Sequence, residues 1–346
     1  MKNIIIIGLV FLSTAVALQT KAQVKPYMSS FESALLKLSP YIINEEAYKQ
    51  TENKKSISSA LKDLNVSIQA VKHDKSIEQT SLKFRFEVLA DGIKDVESSF
   101  NKGAVDYSYW NLKSQLHQCS SCHTERQLVS RLQDYDFYKN SNLFTQAEFQ
   151  FMLRNYDSAF NKYVDLIEKY DGKNMTHEEL NRSVKKIGYY LVRVKKEDAL
   201  SLKTFKSLKK NKNLPQYMKK NLDKWVDYLE VKKYRIFPSE AENQNLEALK
   251  QFVADREKIA DHFGVGSDRF LIDQETLIYL HNVLNTETNQ KNIPWFYYWI
   301  GYMSADYKES LFDQTGQLYL QECVKKYPKS DVVEQCKKEL KSIEEQ

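Results

Sequence analysis

The chain has 346 residues, of which 42% are hydrophobic and 28% charged, a composition that excludes wholesale disorder. It contains only 9 glycines and 6 prolines, too few for the many tight turns of β-sandwiches and barrels. The formal net charge of +5 comes from interleaved acids and bases, which argues against nucleic acid as a partner. We therefore expect an all-α protein of about two domains.

Residues 1–22 have the pattern of a secretory signal peptide. Lys2 gives a basic start, residues 4–18 form an apolar core, and Thr20-Lys21-Ala22 offers a small-x-small cleavage site. The apolar core is too short to span a membrane, and no later window reaches the ~18 apolar residues that a spanning helix needs. We expect a periplasmic protein that begins at Gln23, has no membrane span and carries a net charge of +3, because Lys2 and Lys21 leave.

Four apolar stripes with steps of three and four residues follow, and each is typical of the buried face of a helix. The stripes are Met28, Phe31, Leu35, Leu38 and Ile42; Ile57, Leu61, Leu64, Ile68 and Val71; Leu82, Phe86, Leu89, Ile93, Val96 and Phe100; and Val105, Tyr109, Leu112, Leu116, Cys119 and His123. Pro40 should kink or end the first helix near Leu38 or Ser39, and Gly103 should end the third. Short connections between four helices predict an up-down-up-down bundle over residues 23–132.

The fourth stripe ends in Cys119-Ser120-Ser121-Cys122-His123, which has the C-x-x-C-H spacing of a covalent c-type haem site. Two thiols one helical turn apart can add across the two vinyl groups of a porphyrin, and the following imidazole can reach the iron. Structural zinc would need two more ligands nearby. A thioredoxin-type dithiol would need a βαβ pattern, and a disulfide at this spacing in a helix would be strained. We predict one haem c, bound covalently by Cys119 and Cys122, with His123 as axial ligand.

A four-helix bundle with this motif near the end of its fourth helix resembles the cytochrome c′ and c-556 family over residues 23–132. In six-coordinate members of that family a methionine on the first helix is the second axial ligand, so the resemblance makes Met28 the candidate second ligand to the iron. In five-coordinate members an apolar residue stands there, and Phe31 or Leu35 would then cover an open iron. His73, in the connection between the second and third helices, is a further donor.

From about residue 133 the pattern changes to helix pairs rich in tyrosine. Two segments resemble tetratricopeptide (TPR) repeats, in which small residues let paired helices cross closely. The residues that carry the resemblance are Ala147, Tyr156, Ala159 and Tyr163 in the first segment and Gly301, Gly316, Leu320, Cys323 and Pro328 in a second, longer one. We expect a TPR-like helical repeat domain over residues 133–346, capped by a final helix over residues 332–343.

Cys323 and Cys336 lie thirteen residues apart, on either side of a turn-like Tyr327-Pro328. Two antiparallel helices joined at this turn would place the cysteines at similar heights. In an oxidising compartment a disulfide between them is the expected state, and two buried free thiols are the alternative.

The acidic residues, histidines and serines form no recognisable catalytic arrangement, so we expect a carrier rather than an enzyme. The principal hypothesis is electron transfer with a protein redox partner that the helical repeat domain docks. One alternative is a five-coordinate, c′-like sensor that binds nitric oxide or carbon monoxide. Another is a scaffold protein.

Overall fold

The computed structural model describes residues 29–72, 82–125, 141–231, 236–239, 242–264, 269–287, 289–305, 307 and 315–345, excepting the side chains of residues 82, 117, 119–125, 244 and 344. These residues form helices and turns, with no strand among them, which confirms the predicted all-α class. They divide into two compact units, one up to Gln115 and one from Leu116 onward. The predicted domain limit at residue 132 lies outside the described residues, as do Met28, His73 and the signal peptide.

Four longer helices and one short one contribute to the first unit. They are α1 (29–42), α2 (Glu45–Lys49), α3 (Lys54–Lys72), α4 (Leu82–Asn101) and α5, which begins at Val105 and runs without interruption to Glu125, so that its residues from Leu116 onward belong to the second unit. The predicted stripe of α3 is fully buried, and so is that of α4 from Leu89 onward, whereas Phe86 is half-buried.

The first helix passes Pro40 and ends at residue 42, so of the two expected effects of Pro40, a kink or an end near Leu38 or Ser39, the end does not occur. Proline has no N–H to donate to the carbonyl four residues earlier, which is that of Leu36. The Ser39 hydroxyl donates to this carbonyl oxygen instead, and the Ile43 N–H donates to the Ser39 carbonyl at 3.3 Å. A side chain thus replaces the missing backbone hydrogen bond, and the last turn forms.

The α3 and α4 helices pack antiparallel. Asn65 donates to Glu97 at 2.7 Å, and the Gln69 amide donates to the Ala90 carbonyl at 3.1 Å, so partners descend along α4 as they ascend along α3. Gly103 then ends α4 as predicted, with φ +89°. Its N–H and that of Ala104 donate to the carbonyls of Phe100 and Ser99, which is a Schellman cap.

Ten α-helices form the described part of the second unit beyond residue 140. They are α6 (Leu143–Met152), α7 (Tyr156–Glu168), α8 (His177–Tyr189), α9 (Asp198–Leu208), α10 (Gln216–Glu230), α11 (Leu246–Phe263), α12 (Phe270–Thr286), α13 (Ile293–Ala305), α14 (Thr315–Lys326) and α15 (Val333–Glu344). A π-helical segment, Tyr190–Lys195, continues α8 and ends at Lys196, which has a left-handed backbone (φ 56°). None of the described helices is long and apolar enough to cross a bilayer.

The α6 and α7 helices pack as a pair through the residues that resemble a repeat. Ala147 and Ala159 are fully buried, and so is Tyr163. The Tyr163 hydroxyl donates to Glu148 at 2.5 Å, and burial raises the pKa of this tyrosine well above its usual value. Small side chains on both helices let the two backbones approach, and the tyrosines fill the space beside them.

The α13 and α14 helices pack more closely, at two glycines. A Cβ on Gly316 would lie 2.6 Å from the Ala305 backbone nitrogen and 2.7 Å from the Gly301 carbonyl oxygen. A Cβ on Gly301 would lie 2.6 Å from Leu320 Cγ. The Gly301 and Gly316 positions therefore mark a crossing at which neither helix has room for a side chain.

A disulfide between Cys323 and Cys336 ties α14 to α15, with the two Cα atoms 6.4 Å apart. Both cysteines are fully buried. Val333 and Ile343, also buried, lie at the two ends of α15, so this last helix covers the apolar surface of its neighbours.

Gly316→Ala should lower the free energy of unfolding by about 1–3 kcal/mol, because the new methyl group meets backbone atoms that cannot rotate away. This cost exceeds the gain in helix propensity, which is at most about 1 kcal/mol. Denaturant unfolding of the purified chain measures the change, with Gln321→Ala, at an exposed position of the same helix, as the control. An unchanged or higher stability of Gly316→Ala would mean that α13 and α14 do not cross here.

Candidate functional site

The residues of the C-x-x-C-H motif all lie on α5. An α-helix turns about 100° per residue, so position 122 lies about 60° behind position 119, and position 123 about 40° ahead of it. Cys119, Cys122 and His123 therefore occupy one side of a continuous helix. Their side chains lie outside the described residues. The backbone alone places two thiol-bearing positions and one imidazole-bearing position within an arc of about 100°.

The stripe that leads to the motif is buried. Tyr109 is 7% exposed, and Leu112 and Leu116 are fully buried. An apolar stripe that ends in two cysteines and a histidine has the chemistry that covalent haem requires: thiols for the vinyl groups, an imidazole for the iron and apolar neighbours for the ring. The donor set of α5 therefore fits a c-type haem.

Tyr48 on the short helix α2 fixes the beginning of α5, and sequence analysis missed it. Its hydroxyl lies 2.9 Å from the Ser108 hydroxyl, which in turn donates to the Val96 carbonyl at 2.9 Å. Because the single Ser108 proton points to Val96, Tyr48 donates to Ser108. The Tyr48 ring also packs 5.2 Å from that of Phe100, and burial raises the pKa of Tyr48 to about 12.

Tyr109 joins the same region of α5 to the end of α1. Its hydroxyl donates to the Ile42 carbonyl at 2.9 Å, and its ring lies 5.1 Å from that of Tyr48. Burial raises the pKa of Tyr109 to about 12. Both tyrosines are therefore neutral hydrogen-bond donors at physiological pH, and they hold α1, α2 and α5 together.

A ladder of polar side chains runs along α5 beside α4, at Asp95, Asn111 and Gln115. The Asp95 carboxylate can only accept, so it takes a hydrogen bond from the Asn111 amide nitrogen at 3.0 Å. The Asn111 amide oxygen then accepts from Gln115 at 2.9 Å. Because Gln115 donates through its amide nitrogen, its amide oxygen is left buried and accepts no hydrogen bond among the described residues. Gly92 makes room, since a Cβ there would lie 2.3 Å from the Gln115 amide.

Two aromatic side chains of α5 face solvent, one helical turn apart. Tyr107 is 50% exposed and Trp110 is 44% exposed, and their ring centroids lie 6.4 Å apart. The Tyr107 hydroxyl donates to Asp95 at 2.8 Å, and this hydrogen bond raises the pKa of Tyr107. The apolar stripe predicted for this helix includes Tyr109 and omits Tyr107 and Trp110, which agrees with the burial of the first ring and the exposure of the other two.

Four residues were considered for the side of the iron opposite His123, and the structure describes two of them. Phe31 and Leu35 are buried in α1, at 4% and 7% exposure. Met28 and His73 lie outside the described residues, so the second axial ligand stays a prediction. Among the side chains that the structure describes, no three His, Cys, Asp or Glu groups come together as a metal site.

The comparisons with known proteins identify no relative: no family model, curated protein or solved structure matches the chain.

Asn111→Leu should lower the free energy of unfolding by about 2 kcal/mol, because the buried Gln115 amide nitrogen loses its acceptor. The double variant Asn111→Leu/Gln115→Met removes both partners and should recover most of this loss, since no polar atom is then left unpaired. Denaturant unfolding of both variants measures the difference. Equal destabilisation of the two would show that packing, rather than the hydrogen bond, decides the cost.

Proposed function

We propose that the chain is an exported monohaem c-type cytochrome that exchanges electrons with a protein partner. The observation that carries the proposal is the position of Cys119, Cys122 and His123 on one side of α5, at the end of a buried apolar stripe. When bound, a haem c supplies an iron that changes its oxidation state by one electron.

The chain's own residues have separate roles in this proposal. Cys119 and Cys122 would hold the porphyrin through thioether bonds, and His123 would bind its iron. Met28 is the candidate for a second ligand to the iron, and a thioether ligand would favour the ferrous state and so raise the potential. The buried Leu112 and Leu116 belong to the same stripe, and their burial supports an apolar environment for the ring.

The contacts of the first unit support a four-helix bundle over residues 23–132 that resembles the cytochrome c′ and c-556 family. The α3 and α4 helices are antiparallel, and α5 packs on α4 through the Ser108–Val96 hydrogen bond. The Tyr109–Ile42 hydrogen bond attaches α1 to α5. These are the four helices that the sequence pattern assigns to the bundle.

The second unit is proposed as a TPR-like domain that docks the redox partner. Support comes from the α6–α7 and α13–α14 pairs, whose interfaces are built on alanine and glycine respectively. Arrays of such pairs present extended surfaces to peptides and proteins. The Cys323–Cys336 disulfide supports export, because disulfides persist in oxidising compartments such as the periplasm.

Covalent haem is tested by expressing the full chain in a host with c-type maturation machinery. The purified protein should begin at Gln23, be coloured and carry the added mass of one haem after denaturation. Cys119→Ala/Cys122→Ala should abolish this mass and colour. Cys323→Ala/Cys336→Ala is the matched control, since it also removes two cysteines, and it should keep the haem. A colourless wild-type protein without the added mass would disprove the proposal.

The second axial ligand is tested by the absorption spectrum of the ferrous protein with and without carbon monoxide. Ligation by Met28 predicts sharp low-spin bands that the gas leaves unchanged, and Met28→Ala should make the spectrum high-spin and sensitive to the gas. Met152→Ala, a methionine outside the predicted bundle, should change nothing. A wild-type spectrum that already shifts with carbon monoxide would contradict Met28 ligation and favour the gas-binding alternative.

A further inference from the structure

The helical hairpin formed by α9 and α10 carries a concentration of positive charge. Residues 199–222 contain seven lysines and no acidic residue, so they contribute a charge of +7. Because the whole chain carries +5, all other residues together carry −2. The lysines are Lys203, Lys206, Lys209, Lys210, Lys212, Lys219 and Lys220. The interleaving of acids and bases that is typical of the chain is therefore absent from this segment.

The lysines from both helices meet near the connection between them. The α9 and α10 helices pack against each other and are joined by residues 209–215. Lys209, directly after α9, forms an ion pair with Asp223 of α10. The Lys219 ammonium group of α10 donates to the Lys212 carbonyl at 2.9 Å. The first turns of α10 thus adjoin the connection, and residues 209–220 together are called the basic tip.

Two asparagines fix the backbone of the basic tip against the end of α7. The Asn211 amide nitrogen donates to the carbonyls of Ile167 and Tyr170 at 2.7 and 2.9 Å. The Asn213 amide nitrogen donates to the same Tyr170 carbonyl at 3.2 Å. The lysines of the tip therefore extend from a backbone that is held in place.

Most of the seven lysines have no counter-charge. Lys206 and Lys209 pair with Glu230 and Asp223 of α10. The adjoining residues 168–173 add two acids and two lysines, whose charges cancel. The lysines that form no ion pair among the described residues are Lys203, Lys210, Lys212, Lys219 and Lys220. An excess of five positive charges thus remains on this surface.

Helix electrostatics accounts for only part of this charge. Lys209 and Lys210 directly follow the C-terminus of α9, where the helix dipole favours a cation. Lys219 lies in the first turn of α10 and Lys220 follows it, and at this end of a helix the dipole disfavours a cation. Folding alone therefore gives no reason for a positive charge at the last two positions.

An exposed aromatic side chain accompanies the lysines. Tyr217, in the first turn of α10, is 41% exposed. It precedes Lys220 by three residues, so the two side chains share one face of the helix. Tyrosine is enriched where a membrane meets water, because its ring is apolar and its hydroxyl is polar. A tyrosine beside several lysines therefore suits the surface of a bilayer.

The type of cation favours a lipid surface over an acidic protein. All seven cations of residues 199–222 are lysines, although the chain also contains arginines. Protein interfaces are enriched in arginine and depleted in lysine, since a guanidinium binds carboxylates in a fixed, bidentate geometry. A lysine acts as a point charge on a flexible stem, and this suits the many equivalent headgroups of an anionic bilayer.

We propose that the basic tip binds the surface of a bilayer that contains anionic phospholipids. Its lysines lie at the level of the lipid phosphates, and Tyr217 enters the region between headgroups and acyl chains. The attachment is peripheral and reversible, because it depends on surface charge rather than on a long apolar segment. Bilayer binding does not need the haem, so a chain without haem should bind equally well.

The test is co-sedimentation of the full mature chain with vesicles. Vesicles of phosphatidylcholine with about 30% phosphatidylglycerol should bind the protein, whereas vesicles of phosphatidylcholine alone should leave it in solution, because only the first carry a net negative charge. Raising the salt concentration from about 0.05 M to about 0.5 M should release the bound protein, since salt screens exposed charges.

Variants assign the binding to the basic tip. Lys210→Gln/Lys212→Gln/Lys220→Gln should weaken binding to the anionic vesicles about thirtyfold or more, because each lysine near such a surface changes partitioning by roughly fivefold. Tyr217→Ser should weaken binding by a smaller factor that salt does not reduce, since entry of the ring into the interface is not a charge effect.

The matched control removes three exposed lysines from the first unit. Lys54→Gln/Lys55→Gln/Lys62→Gln, all on α3, lowers the net charge by the same amount and should leave binding almost unchanged. An equal loss of binding in the two triple variants would overturn the proposal, because affinity would then follow net charge and not the tip.

Three other results would also reject a lipid surface. They are no binding to the anionic vesicles, equal binding to both kinds of vesicle, and tighter binding to soluble polyglutamate than to anionic vesicles at the same concentration of negative charge. The last of these would indicate an acidic protein as the partner of the basic tip.

Discussion

Backbone hydrogen bonds of one uninterrupted helix set the relative positions of Cys119, Cys122 and His123. No loop intervenes between them, so their register on α5 is as rigid as the helix itself. In the proposed haem site, the helix would fix the spacing of the two thiols and the imidazole relative to one porphyrin ring. The contacts of Tyr48 and Tyr109 matter for the same reason, because they hold the first turns of α5 against neighbouring helices.

Features encoded by local periodicity were predicted from the sequence, whereas features that depend on distant partners were not. The buried stripe of α3, the end of α4 at Gly103 and the pairing of Cys323 with Cys336 all follow from spacing along the chain. The short helix α2 was missed, because five residues are too few to show a period. The continuation of α1 past Pro40 could not be predicted either, because it depends on a hydrogen bond from Ser39 that compensates for the missing N–H.

Buried polar side chains whose partners lie on other helices could not be predicted from the sequence either. The direction of the Asp95–Asn111–Gln115 ladder is set by a carboxylate that belongs to another helix. The buried carboxylate of Glu275 gives no signal in the sequence, since its partners Tyr228 and Arg256 are contributed by α10 and α11. Burying a polar atom costs free energy unless the atom is paired. Each of these side chains therefore depends on partners from another helix, which the local sequence does not reveal.

The π-helical segment has a consequence for chain length. Its turn takes up one more residue than an α-turn, as the hydrogen bond from the Lys196 N–H to the Leu191 carbonyl, five residues back, makes clear. Everything after it is therefore offset by about one residue from a regular continuation of α8. Shortening the chain here by a single residue would regularise the helix and turn the start of α9 by roughly 100° about the axis of α8.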